Sequence, residues 1–178
     1  MTSKALFLDR DGVINVDHGY ASRPQQIDFI EDIFPLCNWF QQQGYLIIVV
    51  TNQSGIGRGY YTEEDFLHLS QWMQAEFAQR GIKIAEFFFC PHHPEKAKGK
   101  YLKDCSCRKP NPGMLEQAKQ KYDIDMSKSV MIGDNKTDMM AAAQAGVTKR
   151  FLYSTADLPD DTNIGYEWVD SLTRIYPM

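Results

Sequence analysis

Short apolar runs alternate along this chain with segments of helical periodicity, and this alternation constrains the fold more than any other feature. Strands that are apolar along their whole length are typical of a parallel sheet covered by helices on both faces. At 178 residues the chain suits one compact domain, 1–178. The sequence therefore predicts an α/β fold. The runs are KALFLD (4–9), YLIIVVT (45–51), AEFFFC (85–90), SVMIGD (129–134) and RFLY (150–153).

Helices are predicted between most of these strands. Thr62 is a predicted N-cap because acidic residues fill the turn after it. Asn111 is predicted to cap the third helix, with Pro112 in its first turn. The stretch SGIGRG (54–59) lacks the G-x-G-x-x-G spacing of a dinucleotide site and is interpreted as a flexible loop. The helices are predicted at 33 to 44, 62 to 81, from 111, and at about 138–145.

Charge and hydropathy exclude several classes of protein. A net charge of −4 gives no indication of nucleic-acid binding. The longest apolar run, at 45–50, is far too short for a transmembrane helix, so no membrane association is expected. Charged residues come too early at the N-terminus for a signal peptide. We therefore expect a cytoplasmic monomer with reduced thiols.

Polar side chains stand where the predicted strands end. Asp9 and Asp11 follow the first strand, Thr51 and Asn52 end the second, and Asp134 ends the fourth. The carboxyl ends of parallel strands lie at one edge of the sheet, where ligands of such folds bind. Gathered carboxylates repel one another and need a cation, and an all-oxygen ligand set suits Mg²⁺.

A single aspartate after a strand is more often a turn former or a helix cap than a ligand. Asp138 fits that description and is predicted to be a cap or a partner of the site residues. Three carboxylates at the tips of two strands, together with Thr51 and a lysine, favour a functional site over chance.

Cysteine and histidine recur in one polar segment. Cys90 and His92 form a C-x-H pair, and Cys105 and Cys107 form a C-x-C pair farther along. Three sulfurs and one imidazole make a closed tetrahedral zinc set, which predicts a structural Zn²⁺ that orders the loop at about 90–107. Core packing, a disulfide and chance are the alternatives, and His93 is an alternative ligand. Reduced thiols and an odd count of cysteines in the segment disfavour a disulfide.

Four motifs occur in the order found in one large family. DRDGV, TNQSG, RKPNPGM and GDNKTD resemble the motifs of the haloacid dehalogenase-like phosphatases. DHGY (17–20), TNQSGIGRG and the cysteine–histidine segment resemble one branch more closely, the D-glycero-D-manno-heptose-1,7-bisphosphate 7-phosphatases. The resemblance implies a Rossmann-like three-layer sandwich. The segments after the first and third strands are too short for a separate cap domain over the site.

The resemblance also implies catalytic roles. Asp9 would be the nucleophile that forms an aspartyl-phosphate, and Asp11 the general acid and then the general base. Thr51 and Lys109 would stabilise the transferred phosphoryl group. Mg²⁺ would be held by Asp9, Asp134 and the backbone carbonyl of Asp11.

The implied substrate is a small phosphorylated sugar, heptose 1,7-bisphosphate, cleaved at the 7-phosphate on the route to activated heptose (ADP-heptose). This branch often carries a basic residue directly after its last metal-binding aspartate, whereas this chain has Asn135 followed by Lys136. Either residue is a candidate for the substrate contact. The predicted substrate-binding residues are Asp17, His18, Gly19, Tyr20, Thr51, Asn52, Gln53, Ser54, Arg108, Lys109 and Asn135.

Other functions remain open at this point. A histidinol-phosphate phosphatase, or another small sugar-phosphate phosphatase, has closely related motifs. A receiver-like signalling domain also gathers acidic residues with threonine and lysine, and a zinc-ordered binding module needs no catalysis. Asp11, two residues after the nucleophile, argues against a receiver, since an acid that speeds turnover shortens the life of a signalling phosphate.

Overall fold

The computed structural model describes residues 1–156 and 165–178. Six parallel strands form one sheet in the order β3-β2-β1-β4-β5-β6. This confirms the predicted α/β class. Five strands match the apolar runs of the sequence, and the sixth was not predicted. The strands are β1 (Lys4–Leu8), β2 (Tyr45–Asn52), β3 (Ile84–Cys90), β4 (Val130–Gly133), β5 (Lys149–Tyr153) and β6 (Glu167–Val169).

Helices cover both faces of this sheet. One core holds side chains of α1 and α3 with Leu6 and Leu8 of β1, and the other holds side chains of α4 and α5 with Ala5 and Phe7 of the same strand. Each face of β1 is therefore buried, as a continuous apolar strand requires. The helices are α1 (Ile33–Gln42), α2 (Ser54–Gly57), α3 (Glu63–Ala78), α4 (Gly113–Tyr122) and α5 (Lys136–Gln144).

Three local predictions need correction. Residues 54–57 form the short helix α2 instead of a flexible loop, and Gly55 and Gly57 are buried in it. The N-cap of α4 is Pro112, while the side chain of Asn111 donates to the carbonyl of Cys105 at 2.8 Å. The last predicted helix begins earlier than expected, at Lys136.

The strand order places a crevice beside β1. From β1 the chain moves outward to β2 and β3 and then returns to β4 on the other side of β1. Such a reversal is where ligands bind in open parallel sheets. Within 1–156 and 165–178, no helix has the length and apolarity needed to cross a membrane.

Candidate active site

Lys109 is buried at the centre of the strand-end cluster. Its Nζ donates to Asp9 Oδ1 at 3.0 Å, to Asp138 Oδ1 at 2.5 Å and to the carbonyl of Val50 at 2.9 Å. An ammonium group has three protons, so all of them are used inside the protein. Burial alone would lower the pKa of Lys109, but the carboxylates of Asp138 and Asp9 outweigh it and raise that pKa. Lys109 is thus a fixed cation.

Three carboxyl groups crowd around this cation. Oxygen atoms of Asp9, Asp134 and Asp138 lie within 4.8 Å of one another. Burial, followed by the charge of Asp138, raises the pKa of Asp9 well above its ordinary value. Burial likewise raises the pKa of Asp134 to about 6. One lysine does not balance the cluster, so the donor set fits a hard divalent cation such as Mg²⁺.

Asp138 holds Lys109 and the start of α5 and is poorly placed to serve as a metal ligand. Its Oδ2 accepts the backbone N–H groups of Asp134 and Asn135 at 3.2 and 3.1 Å. It completes a capping box whose N-cap is Asn135. The N-cap itself is Asn135, so of its two predicted roles Asp138 takes that of a partner of the site residues, and Asp9 and Asp134 are left as the carboxylates available to a metal ion.

Gly12 lets the first loop approach Asp134. Its φ of +90° lies in the left-handed region, and an added Cβ would lie 2.0 Å from Asp134 Oδ2. No side chain fits there without displacing the Asp134 carboxylate. The glycine of DRDGV is therefore required by the geometry of the site.

The Asp11 carboxylate is held by Arg10, a buried cation to which the sequence motifs assigned no role. Arg10, fully buried, donates to Asp11 Oδ1 through Nε at 3.2 Å and through Nη2 at 3.0 Å. Nη2 also donates to the carbonyl of Ala21 at 3.0 Å. Asn15 adds a bond to Asp11 Oδ1 at 3.0 Å. Arg10 therefore ties Asp11 to the loop that follows β1.

The tip of β2 positions Lys109. The amide of Asn52 donates to the carbonyl of Lys109 at 3.1 Å and accepts its backbone N–H at 3.0 Å. This pair of bonds joins the end of β2 to the residue that follows the cysteine loop. The structure thus uses Asn52, a predicted substrate-binding residue, to hold Lys109 in place.

A polar cavity of about 330 Å³ adjoins Asp11. Most of the predicted substrate-binding residues in 17–20 and 52–54 line this cavity. His18 instead lines a neighbouring cavity of about 250 Å³. Nη1 of Arg108 lies 3.5 Å from the carbonyl of His92, and Asn135 is the exposed N-cap of α5. The residues that line the cavity of about 330 Å³ are Asp11, Asp17, Gly19, Tyr20, Asn52, Gln53, Ser54, Gly55 and Tyr61.

The four predicted zinc ligands converge. The sulfur atoms of Cys90, Cys105 and Cys107 lie 2.7–3.4 Å apart, and His92 Nδ1 lies 3.4 and 3.6 Å from two of them. No disulfide links these thiols. Tetrahedral zinc requires sulfur atoms about 3.8 Å apart, so a small outward shift would admit the ion.

Details of this cluster favour a metal and identify the histidine. The hydrogen bond between Cys107 and Cys90 lowers the pKa of the Cys107 thiol to about 5 and raises that of Cys90, so it favours one thiolate of the kind that zinc binds. His93 Nδ1 instead accepts the backbone N–H groups of Glu95 and Lys96 at 3.1 and 2.9 Å. His92, and not His93, faces the sulfur atoms.

Comparison with known proteins gives concordant matches. Residues 106–165 match the family model described as "HAD-hyrolase-like". A D-glycero-beta-D-manno-heptose-1,7-bisphosphate 7-phosphatase of Vibrio cholerae is 50% identical over 155 residues, covering 87% of this chain and 83% of the relative. A D-glycero-alpha-D-manno-heptose-1,7-bisphosphate 7-phosphatase of Burkholderia mallei is 47% identical, covering 88% and 83%.

A solved structure agrees over nearly the whole chain. The D,D-heptose 1,7-bisphosphate phosphatase from B. bronchiseptica, complexed with magnesium and phosphate, superposes with a TM-score of 0.80. It is 28% identical and covers 97% of this chain and 95% of that one. The fold, the motif order and the identity over most of both chains lead to one conclusion: the chain belongs to the heptose-1,7-bisphosphate 7-phosphatase family of haloacid dehalogenase-like hydrolases.

Proposed function

We propose that this protein is a phosphoric monoester hydrolase that removes the 7-phosphate of D-glycero-D-manno-heptose 1,7-bisphosphate. The observation that carries the proposal is the buried cluster of Asp9, Lys109 and Asp134 beside a polar cavity lined by Asp11. The cluster suits attack on a phosphate, and the cavity has room for a sugar. The names of the relatives supply the identity of that sugar.

In the first step, Asp9 attacks phosphorus. Lys109 Nζ and the N–H of Arg10 both bind Oδ1, which leaves Oδ2 as the attacking oxygen. The bond from phosphorus to the sugar oxygen breaks, and Asp11 gives that oxygen a proton. The products are an aspartyl-phosphate and the dephosphorylated sugar.

In the second step, Asp11 takes a proton from water, which attacks the phosphorus of the aspartyl-phosphate. The bond to Asp9 breaks, and free phosphate and the original carboxylate result. The arginine, asparagine and glutamine that surround Asp11 hold its carboxylate in one orientation for both proton transfers. Thr51, at the tip of β2, and the Lys109 cation are proposed to stabilise the phosphoryl oxygens.

Magnesium is proposed as the catalytic cofactor, held by Asp9 and Asp134 with the backbone carbonyl of Asp11. When bound, it would offset the negative charge of the phosphoryl group. The raised pKa values of Asp9 and Asp134 support this assignment, because burial, together with the charge of Asp138, makes their ionised forms costly without a further cation. The solved relative that superposes on this chain is complexed with magnesium.

A substrate panel tests the proposed reaction. Wild-type protein with Mg²⁺ should release phosphate fastest from the 7 position of heptose 1,7-bisphosphate, with the alpha and beta anomers assayed separately. Histidinol phosphate, fructose bisphosphate and 4-nitrophenyl phosphate serve as comparisons. A higher kcat/KM for histidinol phosphate would replace the heptose assignment, and the absence of turnover on every phosphate would favour a binding protein.

Zinc is proposed as a structural ion held by Cys90, His92, Cys105 and Cys107. Four protein ligands complete a tetrahedron, so no position remains for substrate or water. Cys107 directly precedes Arg108 and Lys109. The ion would therefore fix the chain from which both cations extend, and Arg108 is proposed to bind the second phosphate of the substrate.

Replacing Cys105 by Ser is expected to remove zinc while the sheet and the Asp9–Asp134 cluster stay folded. The loop at 90–107 should become mobile, and cations that must be ordered on binding contribute less than preorganised ones. We expect a rise in KM of roughly tenfold and zinc content falling from one ion per chain, measured by metal analysis and steady-state kinetics. The buried Cys37, replaced by Ser, is the control outside the loop. A wild-type protein without zinc, or a zinc-free protein with full activity, would overturn the proposal.

The cytoplasmic location, the monomeric state and the single-domain assignment remain predictions. So do the substrate contacts of all the predicted substrate-binding residues. Among them, the cavity lining within the described residues does not contain His18, Thr51, Arg108, Lys109 or Asn135.

A further inference from the structure

Tyr61 is a buried tyrosine that none of the four motifs includes. It lies between α2 and α3, is 7% exposed and lines the cavity beside Asp11. Its ring packs in a small cluster with Ile56 and Phe66. An added Cβ on Gly55 would lie 2.3 Å from its Cε1, so the ring sits directly against the backbone of α2. The packing of the ring therefore fixes the position of the Tyr61 hydroxyl.

That hydroxyl donates to the side-chain amide of Gln53. Oε1 of Gln53 accepts the bond, and Nε2 donates to Thr51 Oγ1 at 2.9 Å and to Asp11 Oδ2 at 3.3 Å. Gln53 is 3% exposed, so its amide has little access to water. Every hydrogen-bonding group of the amide thus has a partner inside the protein. Gln53 lines the cavity, but its amide is committed to the side chains of the site.

The orientation of the Gln53 amide matters for Asp11. In the observed orientation N–H groups face the carboxylate; after a flip, a carbonyl oxygen would face it and repel it. The Asp11 carboxylate, which can only accept, requires the N–H side of the amide, and the Tyr61 hydroxyl holds the opposite end in place by donating to Oε1. Burial raises the pKa of Tyr61 to about 12, so the hydroxyl keeps its proton at neutral pH.

We propose that Tyr61 is a positioning residue for the phosphatase reaction: through Gln53 it fixes the Asp11 carboxyl group in the orientation from which its protonated form delivers a proton to the leaving oxygen. The inference rests on the proposed function, in which Asp11 is the general acid. It adds a side chain outside the motifs to the group that controls Asp11. Tyr61 itself need not contact the substrate.

Replacing Tyr61 by Phe removes one hydroxyl and leaves the ring packing in place. A sugar phosphate has a poor leaving group that needs protonation, whereas 4-nitrophenyl phosphate does not. We expect kcat/KM of the variant to fall about tenfold on the sugar phosphate and less than about twofold on 4-nitrophenyl phosphate. Tyr122→Phe is the matched control, because it deletes a hydroxyl bonded to Glu86 away from the site. Equal losses on both substrates would overturn the proposal.

A double-mutant cycle tests whether Tyr61 acts through Gln53. In a Gln53→Ala background, Tyr61→Phe should change the rate on the sugar phosphate by less than about twofold. An undiminished effect there would mean that Tyr61 acts independently, which contradicts the proposal. Should Gln53→Ala fail to fold, the leaving-group comparison of Tyr61→Phe alone decides.

The sugar phosphate used in this test is chosen so that the outcome does not depend on the heptose assignment. The alkyl phosphate used is whichever one the wild-type protein hydrolyses best, so a wrong heptose assignment does not alter the comparison. If the proposed function is wrong, the wild-type protein itself will show it. If the Tyr61 inference is wrong, the ratio of kcat/KM on the sugar phosphate to kcat/KM on 4-nitrophenyl phosphate will be the same in the variant as in the wild-type protein.

Discussion

Replacing Asp9 by Asn is expected to lower kcat by roughly four orders of magnitude or more while stabilising the metal-free protein. An amide cannot attack phosphorus, so the covalent step is lost. The stabilisation follows from the raised pKa of Asp9, which burial causes first and Asp138 second. A carboxyl group with a raised pKa costs folding free energy as pH rises from its ordinary, unfolded pKa towards its folded pKa, and the cost is constant above that. Asn never ionises, so the gain in Tm over wild type should grow as pH rises above the ordinary pKa of an aspartate and should level off once the folded Asp9 is ionised.

Added Mg²⁺ should reverse the order of the Tm values of the wild-type protein and Asp9→Asn. Added Mg²⁺ is expected to raise the Tm of the wild-type protein, because it offsets the carboxylates of Asp9 and Asp134. It should have less effect on Asp9→Asn, which lacks one ligand. Thermal unfolding with and without Mg²⁺, beside phosphate release, measures both effects. An Asp9→Asn protein with near-normal turnover would contradict the mechanism, and one less stable than wild type without metal would contradict the charge argument.

The sequence allowed most of the fold to be predicted because the sheet is parallel and buried. Continuous apolar runs and helical periodicity located five strands, and the order of polar strand ends located the site edge. The start of α5 was predicted at about residue 138, with Asp138 as a candidate cap, whereas Asn135 is the N-cap and Asp138 is the third helical residue, whose side chain completes the capping box. β6 is a three-residue strand at the edge of the sheet, with a pattern too short to recognise.

The site was less completely predictable, because several of its bonds join residues by tertiary contact alone. Arg10 lies between the two motif aspartates, where the sequence pattern is typical of a solvated turn residue. Its role became visible only from its complete burial in the structure. Tyr61 could be taken for an ordinary core aromatic. The one available signal was that a tyrosine, unlike phenylalanine, needs a partner for its hydroxyl when buried. Its partner, Gln53, is eight residues earlier in the chain, across α2.

Asn52 illustrates the same limit in a residue that the motif did include. Its place in TNQSG predicted contact with substrate, which stays a prediction because Asn52 lines the cavity. What the sequence did not indicate is that its amide donates to the carbonyl of Lys109 and accepts the backbone N–H of the same residue. Sequence spacing does not reveal that the end of β2 meets the residue after the cysteine loop. The two segments are 57 positions apart.

Replacing Lys109 by Met should damage both the stability and the activity of the protein. Met fills much of the same space but leaves the carboxylate of Asp138, whose side chain is 2% exposed, without its counter-ion. Breaking a buried ion pair from one side costs about 3–5 kcal/mol of unfolding free energy. Losing a preorganised cation beside Asp9 should also lower kcat by roughly two to three orders of magnitude. Denaturant unfolding and phosphate release measure the two losses.

A second replacement separates these two losses. In Lys109→Met/Asp138→Asn the buried charge of Asp138 is gone, while an amide oxygen can still accept the N–H groups at the start of α5. Most of the lost stability should therefore return. Activity should stay low, because no cation then faces Asp9 and the transferred phosphate. If activity returned together with stability, Lys109 would serve only to balance Asp138 and would have no part in the chemistry. If stability did not return, the cost of removing Lys109 would lie in its bond to the carbonyl of Val50 and its packing.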